Sequence, residues 1–138
     1  MKSKKERQEK IGFEKLIEFK WSVSRGYNTY GYNICRVYID GQKTKHAVNG
    51  GGYDMRGAAF SGWIKEMFSD ELKKLDSSKF YGLSFWNEKT KKYQNRFSKN
   101  CRVYLDGACG FRCMESILHH LGYTMKYIKK DCYLLTVR

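Results

Sequence analysis

No proline occurs anywhere in the chain. Every turn must therefore be made by Gly, Asn, Asp or Ser, and no proline-rich linker marks a domain boundary. Acidic residues are scarce: 14 Asp and Glu stand against 27 Lys and Arg, a formal charge of +13. That imbalance favours an anionic partner such as nucleic acid, a ribonucleoprotein or an acidic protein face, with solubility alone as the competing explanation. No apolar run approaches a membrane span, and the basic N-terminus is not followed by the apolar stretch of a signal peptide. The expectation is a cytoplasmic protein with no membrane partner. Catalytic patterns are also missing. There is no nucleophile elbow, no HExxH and no pair of carboxylates spaced for acid and base work, so no enzymatic activity is expected.

Aromatic residues, by contrast, make up 16% of the 138 residues, enough to build one modest core without disulfides. Five cysteines, an odd number, read as free thiols rather than a disulfide framework. One word occurs twice: CRVYIDG from Cys35 to Gly41 and CRVYLDG from Cys101 to Gly107. In each copy Cys, Val and Ile or Leu fall on one face of a strand, Arg and Tyr on the other, and Asp-Gly signals a tight turn. A glycine-bearing loop and an amphipathic helix follow both copies, which makes two related strand-turn-loop-helix half-units.

Along the chain, the basic arm over about residues 1–10 leads into a helix expected to continue to about Leu16. Alternation of Ile17, Phe19, Trp21 and Val23 then predicts a strand. After the first repeat, Lys43 to Val48 reads as a strand broken by Asn49 and three glycines. The helical stripe Phe60, Trp63, Ile64, Met67, Phe68, Leu72 and Leu75 follows, with Ser61, Lys65, Glu66, Asp70, Lys73 and Lys74 on the opposite side and Asp54 placed for an N-cap or first-turn carboxylate. Tyr81 to Trp86 and Lys92 to Phe97 predict a hairpin. A shorter helix buries Met114, Ile117, Leu118 and Leu121 and ends at Gly122, and Tyr123 to Ile128 with Cys132 to Val137 closes the chain as a second hairpin. The order predicts a single α+β domain over 1–138, with an antiparallel sheet or sheets and two main helices.

Three features carry the candidate binding residues. Glycine loops before the two helices offer convergent N–H groups to an anion, with Arg56 and Arg112 just beyond, although ordinary strand-to-helix turns need glycine too. The stretch with Lys89, Lys91, Lys92, Tyr93, Arg96 and Lys99 interleaves charge with rings, the pairing that holds a phosphate backbone while stacking on bases; packing of those rings on the sheet is the alternative. Arg25 and Tyr27 extend this basic surface, and Arg36, Tyr38, Arg102 and Tyr104 are the outward residues of the repeats. Cys109 and Cys113, four apart, are candidates for one zinc ion that Cys101, Cys132 or His46 would have to complete, against the commoner outcome of buried free thiols.

The words GGGYDMRGAAFSGWI (Gly50 to Ile64), KFYGLSFW (Lys79 to Trp86) and LDGACGF (Leu105 to Phe111) resemble a family of small phage- and prophage-encoded proteins. The resemblance implies a host-takeover role in the host cytoplasm, such as anti-CRISPR inhibition of a Cas effector or another nucleic-acid-processing protein, and brings no catalytic residue. The expectation is a binding protein that disables a nucleic-acid machine. The alternative is direct RNA or DNA binding. The first half has the αβββα order of a double-stranded-RNA-binding domain, but Gly52 to Gly57 lacks the lysines expected at that helix start.

Overall fold

A computed structural model describes residues 12–25, 31–50 and 53–138. Its elements, in chain order, are β1 (Glu14–Arg25), β2 (Gly31–Ile39), β3 (Gln42–Gly50), α1 (Met55–Met67), α2 (Ser69–Leu72), β4 (Leu83–Asn87), β5 (Lys92–Gln94), β6 (Cys101–Leu105), α3 (Phe111–His120), β7 (Tyr123–Lys129) and β8 (Cys132–Val137), with short 3-10 turns at Ser77–Lys79 and Gly107–Cys109. The strands form two antiparallel sheets, one of five in the order β3-β2-β1-β8-β7 and one of three in the order β5-β4-β6. The fold is α+β. No helix among the described residues is long and apolar enough to cross a membrane.

Alternation decides which way each strand faces. Ile17 and Phe19 of β1, Cys35 and Val37 of β2 and Leu135 of β8 are buried, and α1 and α3 lie on that side. The closing hairpin joins the large sheet through β8 beside β1, so the first and last of these strands share one sheet around one core. Burial of the Cys35 thiol outweighs the pull of nearby Arg56 and pushes its pKa up to about 11. Glu14 to Leu16 belong to β1, not to a helix, because Leu16 pairs with Leu134 and its N–H donates to the Asp40 carboxylate at 2.8 Å. Gly12 and Phe13 are not helical either, and the remainder of that expected helix, with the basic arm, lies outside the described residues.

The repeated words take different places. CRVYIDG forms β2 in the interior of the large sheet, and its Asp40-Gly41, both at positive φ (51° and 79°), makes the two-residue hairpin turn into β3. CRVYLDG forms β6 at an edge of the small sheet. There Asp106 instead accepts from the Ala108 N–H at 2.9 Å and opens a 3-10 turn leading to α3, so this Asp-Gly caps and closes no hairpin. A helix follows each copy, but the first reaches it through an added strand.

The long helical stripe is divided. At Phe68 (φ −116°, ψ 28°) α1 ends and the single turn of α2 begins, while Phe68 packs on Phe13, Trp63 and Tyr123. Phe60, Trp63, Ile64, Phe68, Leu72 and Leu75 are buried as expected, but Met67 is 46% exposed and Ser61 is buried. Ser61 lies inside because α1 is covered on two sides: β2 and β3 on one, and β6 with the Gly107–Cys109 turn on the other. Its hydroxyl donates to the Ala58 carbonyl at 2.7 Å, which satisfies the buried oxygen.

Gly57, one helical turn before Ser61, sits against Gly107. A Cβ on Gly57 would overlap the Gly107 carbonyl oxygen and lie 2.9 Å from the Phe111 nitrogen, and one on Gly107 would overlap the Gly57 carbonyl oxygen. Backbone touches backbone here, which only glycine permits. The contact brings the starts of α1 and α3 together over one carboxylate. Asp54 Oδ1 accepts from the Gly57 N–H at 3.0 Å, and Oδ2 accepts from the Phe111 N–H at 2.8 Å. Gly110, at the N-cap of α3, has no side chain to do this, and Asp54 serves as its cap from 57 residues away.

Candidate nucleic-acid interface

The three-stranded sheet has one buried face and one open face, set by the period of two in β4. Leu83, Phe85 and Asn87 point inward and are buried, which leaves Ser84 and Trp86 on the other side. Direct register partners share a face, so Tyr93 and Arg102, both opposite Trp86, and Tyr104, opposite Ser84, lie on that outer side. Tyr93 is 67% exposed and Tyr104 is 41% exposed. The Trp86 and Tyr93 rings meet edge to face with centroids 4.8 Å apart. Lys65, from α1, holds its ammonium 5.8 Å from the Tyr104 ring centre, within cation–π range. The result is a row of three rings with a guanidinium and an ammonium among them.

Loop chemistry supplies more charge at one end of this face. Asn87 Oδ1 accepts from the N–H groups of Lys89 (2.9 Å) and Thr90 (3.0 Å), which folds the β4–β5 connection, and Lys91 takes a positive φ of 57° to close it. Lys89, Lys91, Lys92 and Lys99 are exposed and have no acidic partner among the described residues. Arg102 Nε pairs with Glu88 at 2.9 Å across the strands. Arg96 donates to the Lys74 carbonyl at 3.3 Å, and Lys73 covers the Phe97 ring at 5.2 Å, so this end of the stretch is tied back to the helical segment.

The remaining candidates are elsewhere or otherwise engaged. Arg36 and Tyr38 belong to the large sheet. Arg36 Nη1 donates to the Thr44 carbonyl at 2.7 Å, and Tyr38 lies under Lys20 at 4.4 Å. Arg56 pairs with Asp131 and stacks 5.0 Å from the Trp21 ring centre, while Trp21 Nε1 donates to the same carboxylate at 3.1 Å. Its hydrogen bond to Asp131 holds the guanidinium charged and in place. Arg56 therefore clamps the β7–β8 turn to α1. Arg112 stays exposed at the start of α3, where Glu115 is 3.7 Å away. Between the two helix starts, the position expected to attract an anion is filled from within by Asp54. Tyr27 lies outside the described residues, as does the side chain of Arg25.

Among the described residues no group of three or more His, Cys, Asp or Glu side chains is placed to hold a metal ion. The Cys109 sulfur is turned in against Gly82 and donates to the Asp106 carbonyl at 2.9 Å. Cys109 is an exposed residue, and partial desolvation of its sulfur, with a hydrogen bond to Cys113, pushes its pKa up to about 11. Cys101 instead lies 3.4 Å from the Ser98 hydroxyl.

Trp86, Lys65 and Glu88 were not among the residues expected at a site. The strand alternation that turns Leu83 and Phe85 inward is the signal that would have turned Trp86 outward. Lys65 carries no such signal, because it reaches Tyr104 from a separate helix. No known family model matches the chain, and comparison with curated proteins and with solved structures likewise finds no match, so the likeness to phage-encoded proteins rests on its sequence words alone.

Proposed function

We propose that this chain binds single-stranded nucleic acid on the outer face of the small sheet. The observation that carries the reading is the row of half-buried Trp86 with exposed Tyr93 and Tyr104 on the face that also bears Arg102, with Lys65 alongside. Rings at sheet spacing stack on unpaired bases, and the flanking lysines neutralise phosphates, a combination that accepts many sequences. An acidic groove on a Cas effector would use the charge but leave the rings without base partners. Inhibition of a nucleic-acid machine, the role implied by the phage-type resemblance, then follows from occupying its single strand.

The test is fluorescence anisotropy with labelled single-stranded oligonucleotides of eight or so residues at several salt concentrations. With about four phosphates neutralised, log K is expected to fall with log salt at a slope of about −3. Tyr93→Ala and Tyr104→Ala should each weaken binding by roughly tenfold, since stacking contributes about 1–3 kcal/mol per base. Binding that is lost with salt but indifferent to both substitutions would assign affinity to charge alone and remove the stacking face.

A further inference from the structure

Where the open face meets the β4–β5 loop there is a groove of about 560 Å³, open to solvent and walled by Glu88 and Lys89 on one side and Lys99, Asn100 and Arg102 on the other. A backbone hydrogen bond from the Glu88 N–H to the Asn100 carbonyl, 2.9 Å, ties the two walls, and Arg102 Nε fixes the Glu88 carboxylate at 2.9 Å. The groove thus presents a carboxylate paired with Arg102, with Lys89 and Lys99 also in its lining, and it adjoins the stacking row through Arg102, which lies across from Trp86.

We propose that this groove seats a guanine base of the bound strand, an inference that rests on the single-strand reading above. Guanine is the base whose Watson–Crick edge carries two adjacent N–H donors beside a carbonyl acceptor. A carboxylate takes both donors at once, since each oxygen keeps a free lone pair after bonding one partner. Glu88 meets that donor pair, and Lys89 or Lys99 meets the O6 acceptor or the adjoining phosphate. Adenine and cytosine offer Glu88 a single amino group, and uracil a single N–H flanked by two acceptors that the carboxylate repels. The Arg102 bond leaves the carboxylate oriented, so little side-chain freedom is lost on binding.

The experiment compares the full chain binding a labelled uridine octamer with the same octamer carrying one central guanosine, and then competes each with GMP or AMP. The expected result is about tenfold tighter binding of the guanosine strand, GMP displacing it at lower concentration than AMP, and a guanosine-to-uridine ratio near one in Glu88→Gln. Gln turns a donor toward guanine's donors while keeping the side chain's size. Equal affinity for the two octamers, or a preference that persists in Glu88→Gln, overturns the guanine groove and leaves the stacking face standing. No binding of either octamer at low salt overturns the single-strand reading, and the groove with it.

Discussion

Gly57→Ala is expected to cost about 3 kcal/mol or more and to lower the melting temperature by roughly 10 °C. The added methyl group would overlap the Gly107 carbonyl oxygen and crowd the Phe111 nitrogen, two backbone atoms that cannot rotate away. Relief requires α1 and the Gly107–Cys109 turn to separate. That separation would also stretch the two hydrogen bonds Asp54 makes to Gly57 and Phe111. Gly62→Ala supplies the comparison. It places a methyl group 2.8 Å from His46 Nδ1, a side-chain atom, so the ring can shift and the loss should be distinctly smaller. Urea or thermal melts of the two variants check the order. A Gly57→Ala protein as stable as the parent would mean that the α1–Gly107 contact is looser than described.

Asp54→Ala should be the next most damaging change, at about 2–3 kcal/mol, because one carboxylate caps two helices and each cap contributes roughly 0.5–2 kcal/mol. The starts of α1 and α3 would then face each other with unpaired N–H groups and like partial charges. Asp54→Asn keeps one oxygen acceptor and turns an NH2 group toward the other N–H, so it should fall between Ala and the parent. Chemical denaturation of the three proteins reads this order directly. Asn equal to the parent would show that only one of the two hydrogen bonds matters.

Local rules made much of this fold legible. The period of two in Ile17–Phe19 and Cys35–Val37, the Asp40-Gly41 turn, the Asp54 cap on α1 and the stripe from Met114 to Leu121 all follow from neighbours in the chain. What escaped depends on partners far away. Ser61 is inside because Gly107 lies against it, Asp54 reaches Phe111 across 57 residues, and Arg56 is taken by Asp131 across 75 residues. For the same reason the second Asp-Gly acts as a cap: no strand follows it to make a hairpin. The candidate site was partly legible. Tyr93, Arg102 and Tyr104 were recognisable as outward or interleaved residues, whereas their meeting with Trp86 depends on the pairing of β4 with both β5 and β6.

Ultraviolet cross-linking of the full chain to a single-stranded oligonucleotide, with the adducts mapped by mass spectrometry, tests the central claim most directly. Adducts at Trp86, Tyr93 and Tyr104, competed away by unlabelled single strand, are the predicted result. Adducts confined to the large sheet, at residues such as Tyr38, with the small-sheet rings unmodified, would contradict it.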